Sequence, residues 1–105
     1  MSFSKVVYLN KLFDQYSSLL TERQQEVFID YYQEDLSYQE IADSLGISRA
    51  GVFDTLKRTV SFLENTEKKV GFVEKYDTLI RELLALNIKE VNDIIDRLDI
   101  GGNNE

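Results

Sequence analysis

A chain of 105 residues can bury one modest hydrophobic core and not two, so a single domain over residues 1–105 is expected. It has neither cysteine nor histidine, which excludes disulfides and thiolate or imidazole metal sites and removes the usual general base and thiol nucleophile. A protein that is not an enzyme and carries no cofactor or metal is therefore expected. The net charge of −7 weighs against a plain DNA-binding module, because Lys and Arg contacts to phosphate supply most non-specific affinity.

The absence of proline, with only five glycines, suits an almost wholly helical chain. Phe3 to Leu20 puts Val6, Leu9, Leu12, Phe13, Tyr16, Leu19 and Leu20 on one broad face, predicting an amphipathic helix of four to five turns. Thr21 with Gln24 three residues on forms a capping box. It opens a second helix through about Gln33 that buries Val27, Phe28, Tyr31 and Tyr32, followed by the short connection Glu34-Asp35-Leu36.

The stretch LSYQEIADSLGISRAGVFDTLKR, Leu36 to Arg58, then carries a helix-turn-helix pattern. Ser37 and Glu40 form another capping box, and Ile41, Ala42 and Leu45 recur at helical spacing. Gly46 can take the left-handed conformation that ends a short helix sharply. Ile47 plugs the corner, and Ser48 caps a second helix whose inner positions are Val52, Leu56 and Val60. This places a helix-turn-helix core at 21–63 with its turn around 46–48.

Beyond Leu56 the apolar positions continue as Val60, Leu63, Val70, Val73, Tyr76, Ile80 and Leu83, in steps of three and four except for one gap at Glu67. Gly71 is a candidate bend, so the pattern fits either one helix from Arg49 to Leu86 or two meeting near Val70. Asn87 reads as a break and Lys89 to Leu98 as a last short helix with Val91, Ile94, Ile95 and Leu98 inward. Apolar positions exceed what one small core needs, and the near-heptad run favours association between helices. Residues 64–98 are therefore expected to form a dimerisation region, paired together with helix 1 in a homodimer, with 99–105 a frayed tail. The opening MSFSKVVYLNKLF lacks the apolar run of a secretory signal, and no stretch reaches the length of a membrane span. A cytoplasmic protein without membrane insertion is expected.

The residues from Leu20, LTERQQEVF followed by LSYQEIADSLGIS and V-x-x-x-L-x-R, resemble region 4 of bacterial sigma factors over about a third of the chain. Length, acidic balance and the helical C-terminal part resemble the YlxM family of small helix-turn-helix proteins more closely still. That resemblance implies an all-α regulator, a sigma region 4-like bundle with an N-terminal helix and long C-terminal helices, linked to the signal recognition particle pathway. The implied partner is a component of that particle, protein or RNA. At this length no room is expected for the separate domain with which sigma factors open promoter DNA, so sigma-factor activity itself is not expected.

In a helix-turn-helix the second helix enters the major groove with its N-terminal, outward residues against base edges. With Val52 and Leu56 inward, the outward set is Arg49, Ala50, Phe53, Asp54 and Lys57. Arg49 suits guanine O6 and N7, Ala50 or Phe53 a thymine methyl, and Asp54 the cytosine N4 donor, though Asp54 equally repels phosphate. Lys57 and Arg58 would reach phosphates, and Tyr38 and Gln39 would anchor the backbone. Ser48, the cap at the same end, completes the candidate DNA- or RNA-binding set. Residues 37–63 hold three basic and three acidic side chains, against three and six in 1–36 and six and ten in 64–105. The recognition helix is thus the least acidic region without being a basic patch.

The bland alternative makes Arg49, Asp54 and Lys57 a solvated helix face with Phe53 packed inside. Glu90, Asp93 and Asp96 share a face that could bind a cation, but a solvated acidic face is the commoner outcome. A rival reading keeps the scaffold and changes the partner, making the chain an acidic protein-interaction module.

Overall fold

The computed structural model describes residues 2–98, and the tail expected at 99–105 lies outside them. Six α-helices and no strand make up the described residues: α1 (Phe3–Tyr16), α2 (Glu22–Phe28), α3 (Tyr38–Leu45), α4 (Arg49–Val70), α5 (Phe72–Ala85) and α6 (Lys89–Leu98). The all-α class read from the sequence is the observed one.

Local caps fix where the first helices begin. Ser2 accepts from the Lys5 amide at the start of α1. Both expected capping boxes form, Thr21 with Gln24 and Ser37 with Glu40, each a reciprocal pair of bonds between 2.8 and 3.1 Å. Gly46, at φ 68°, ends α3 in the left-handed region, and its N–H donates to Ala42 O. Ser48 then caps α4 by accepting from Gly51 N at 2.9 Å. A Cβ at Gly51 would sit 3.1 Å from that hydroxyl, so the small residue makes room for the cap itself.

Helix α1 is shorter than its apolar spacing predicts. The chain tightens into a 3₁₀ turn at Ser17–Leu19, and Leu20 leaves it extended. The paired serines compete poorly for helix, and Gln25 Nε2 ties the carbonyls of Ser17 and Leu20 at 2.9 and 3.3 Å. Leu20 is buried by this turn, but Leu19, expected inside, is 61% exposed. The second helix also departs from regularity. After Phe28 it widens into a π-helical turn, Ile29–Gln33, with Glu34 N donating to Ile29 O. Tyr31 and Tyr32 are only half-buried there. Their rings serve instead in an aromatic chain running Phe13–Phe28–Tyr32–Tyr31–Tyr38, stacked at its two ends and tilted or edge-on between, with centroids 4.4 to 5.0 Å apart.

Two buried clusters meet around Tyr32. One, of Val27, Ile41, Ala42, Val52 and Leu56, is the helix-turn-helix core among α2, α3 and α4. The other gathers Leu9, Leu12, Phe13, Tyr16 and Leu20 with Phe28, Leu63 and Val73. The main apolar face of α1 is thus buried inside the chain, and Phe3, Val7 and Tyr8 are the large hydrophobic residues of that helix left exposed.

Of the two alternatives for residues 49–86, the structure takes two helices. Gly71 adopts φ 68°, ending α4 and starting α5, and Val70, expected on the inner face, is exposed. Asn87 breaks α5 with φ 55°, a conformation Asn tolerates better than most residues. Helices α5 and α6 form a hairpin on which Val73 is the one residue buried among those described. Ile94 and Leu98, expected inward, are about half exposed. No helix of the described residues is long and apolar enough to cross a membrane.

Candidate nucleic-acid interface

The first two turns of α4 owe their presentation to what lies behind them. Val52 is fully buried and Leu56 nearly so, which fixes the rotation of the helix and turns Arg49, Ala50, Phe53, Asp54, Lys57 and Arg58 outward. All six are exposed, as is the cap Ser48. Phe53 is 51% exposed, so it does not pack inside.

The charges of this face partly cancel. Arg58 Nε lies 3.0 Å from Asp54 Oδ2 one turn earlier. Among the described residues Arg49 and Lys57 make no ion pair, which leaves them as the available cations of α4's N-terminal half. Gln39 is engaged with Asp43, its Nε2 donating to Oδ1 at 2.9 Å. Tyr38 is half-buried, stacked on Tyr31 and edge-on to Phe53 at 5.9 Å. Burial and the neighbouring charge of Tyr31 push the Tyr32 hydroxyl up, and the Tyr38 hydroxyl together with burial raises Tyr31. Tyr31 and Tyr32 therefore stay un-ionised at physiological pH, and Arg49 and Lys57 are the uncompensated charges of the face beside them.

Beside it lies an apolar cleft of about 330 Å³ lined by Tyr32, Tyr38, Phe53, Leu56, Lys57, Val60 and Ser61. Val60, read as an inner position, is half-buried at its wall. Of the carboxylates sharing a face of α6, Glu90 and Asp96 are exposed. Asp93 accepts from Lys89 Nζ at 2.8 Å, and no three potential ligands gather among the described residues.

A second polar cluster was not anticipated from the sequence. Glu67, the gap in the apolar run, is only 8% exposed. Its Oε1 accepts from the Tyr16 hydroxyl at 2.6 Å and from Val73 N at 3.1 Å, and its Oε2 accepts from Glu74 N at 3.0 Å. Gly71 has no side chain to cap α5, so the carboxylate from the preceding helix takes two of its unpaired amides. Burial, then the bond to Glu67, pushes the Tyr16 hydroxyl up to about 12. Hydrogen bonds to a charged group contribute roughly 1.5–3 kcal/mol each. The other polar tie between α1 and α5, Lys11 Nζ to Asp77 Oδ2 at 2.9 Å, is exposed, and such pairs contribute about 1 kcal/mol or less. Glu67 is therefore the dominant polar tie at the base of α5. A glutamate where an apolar residue is due, four residues before a glycine, was the one sequence signal of it.

Residues 3–99 match the UPF0122 family, described as "Putative helix-turn-helix protein, YlxM / p13 like". A UPF0122 protein of Shouchella clausii is 39% identical over 103 residues, covering 90% of this chain and 94% of that protein. Another, of Desulforamulus reducens, is 43% identical over 93 residues, covering 89% and 75%. A third, of Bacillus cereus, is 39% identical over 87 residues, covering 83% and 77%.

Proposed function

The chain belongs to the UPF0122 family of YlxM/p13-like helix-turn-helix proteins, and from that premise we propose that it is a nucleic-acid-binding regulatory protein, reading DNA with the exposed face of α4. The observation that supports this most is that face itself: a capped, rotationally locked second helix with Arg49, Ala50, Phe53 and Lys57 outward at its N-terminal end. Arg49 would take a guanine edge, Ala50 and Phe53 a thymine methyl, and Lys57 a phosphate. Asp54 holds Arg58 and restricts it to a weaker phosphate role. The α5–α6 hairpin would pair two copies and present two recognition helices, as readers of two-fold sites require. Leu79, Leu84, Leu86 and Ile88 stay exposed on it, an apolar surface of the kind that association covers. The YlxM resemblance extends the proposal to a place in the signal recognition particle pathway.

One observation favours a second reading, in which the scaffold binds a protein component of that particle. The cleft between Tyr38, Phe53 and Val60 is apolar and would take a partner's side chain.

Titration of labelled genomic fragments at low salt tests the first reading, comparing the parent with the double variant Arg49→Ala, Lys57→Ala. The expected result is weak binding by the parent with about two to four counterions released, and loss of binding by the variant. Equal binding by both, or none by either, removes it.

A further inference from the structure

We propose that Glu67 is a latch that fixes the direction of the α5–α6 arm relative to the recognition helix, so that releasing its hydrogen bonds turns a fixed arm into a swinging one. The hinge is the single residue Gly71, at φ 68° between two helices. The backbone bonds at the joint stop at it from either side: Gly71 N donates to Glu67 O, closing α4, and Lys75 N donates to Gly71 O, opening α5. Beyond it Val73 is the arm's one buried side chain among the described residues.

Against this thin apolar anchorage stands one carboxylate that contacts all three helices at the joint. Glu67 belongs to α4, accepts a hydrogen bond from the Tyr16 hydroxyl of α1, and accepts from the amides of Val73 and Glu74 at the start of α5. The groups facing it are specific. Tyr8, Glu64, Lys68, Glu74, Asp77 and Arg81 line the open groove beside it, but among the described residues none forms an ion pair with Glu67. Lys5 of α1 is taken by Glu64 and Lys11 by Asp77, so the carboxylate is held by neutral donors and the N-terminal end of α5. These three bonds demand one orientation of α5, since an amide pair and a phenol cannot all follow the carboxylate if the arm rotates.

The same helix carries the latch at one end and the recognition residues at the other. Arg49 and Glu67 are eighteen residues apart on α4, about 27 Å of rigid helix. A swing of roughly 10° at the hinge displaces the far end by about 5 Å, comparable to one helical turn. In a dimer paired through the arms, the latch would therefore set the spacing of the two recognition helices. That consequence rests on the function proposed above; the hinge does not.

The chain has no cysteine, so spin labels can be placed at Ser44→Cys on α3 and Glu90→Cys on α6, both exposed positions. Within-chain distances are measured by pulsed dipolar spectroscopy without nucleic acid, with labelled chains diluted in unlabelled parent. The outcome is thereby independent of whether α4 binds DNA. The parent should give one narrow distribution. Glu67→Gln keeps the volume but can no longer accept at both oxygens, and should broaden the distribution about twofold, the signature of a freed hinge. Tyr16→Phe removes one of the three bonds and should broaden it less. A Glu67→Gln variant with the parent's helical circular dichroism and the parent's narrow distribution overturns the proposal. Should Glu67→Gln lose helicity, Tyr16→Phe decides in its place, and an unchanged width there overturns it equally.

Discussion

The head of this molecule, residues 21–63, and the arm formed by α5 and α6 are built on opposite economies of burial. In the head, every helix start is capped by a side chain, and Val27, Ile41, Ala42, Val52 and Leu56 close a core among two short helices and the first turns of α4. The arm is of similar helical content, yet Val73 alone is buried on it among the described residues, and Leu79, Leu84, Leu86, Ile88, Ile94 and Leu98 face solvent. The head holds its own shape. The arm is tethered by a glycine, one valine, one buried carboxylate and the exposed Lys11–Asp77 pair, and much of its apolar surface is left uncovered by the single chain.

Truncation at matched positions measures that contrast first and with the largest effect. Ile41→Ala in the head, a fully buried side chain, should cost about 2–5 kcal/mol. Leu84→Ala in the arm should cost under about 0.5 kcal/mol in the single chain. Denaturant unfolding at low protein concentration reads both, and equal costs would erase the distinction. Gly46→Val comes next, at about 1–3 kcal/mol, because a β-branched residue is forced to φ 68° although the space around it is open. A thermal midpoint equal to the parent's would mean that the turn relaxes without strain.

How far the contrast was legible in the sequence depends on the range of the interactions involved. Capping boxes, the Gly46 turn and the inward Val52 and Leu56 are set within four residues of one another, and each stands where its local pattern put it. The end of α1 is only partly local, and the π turn after Phe28 is not. They answer to Gln25 reaching back to Ser17 and to an aromatic chain that passes from Phe13 through Phe28 to Tyr38. Glu67 was visible only as an interruption, because a pattern of apolar spacing treats any carboxylate as outward. Its partner Tyr16 lies 51 residues earlier, and nothing near Glu67 in the chain announces it. The outward face of α4 was legible as a set of positions, but the pairing of Asp54 with Arg58 and the cleft beside Phe53 were not.

Self-association sharpens the comparison further. Sedimentation equilibrium at micromolar concentration should give a dimer mass for the parent and a monomer for Leu79→Glu with Leu84→Glu, whose side chains are exposed in the single chain. A folded parent monomer would leave the arm's apolar surface without its proposed use. The smallest effect is on pH dependence. The Tyr16 hydroxyl is raised in the folded state from 10 to about 12, so its contribution to stability is fully present below pH 10 and fades as pH rises toward 12. Tyr16→Phe should flatten that part of the alkaline stability curve. A curve as steep as the parent's would assign the loss to the other raised tyrosines, Tyr8, Tyr31 and Tyr32.

The proposal that the head reads nucleic acid is tested most directly by recovering what the parent chain holds in a cell lysate, with and without nuclease, beside the Arg49→Ala, Lys57→Ala variant. The account predicts nucleic acid bound to the parent, released by nuclease and missing from the variant. A protein that stays bound after nuclease, and equally to the variant, would contradict it.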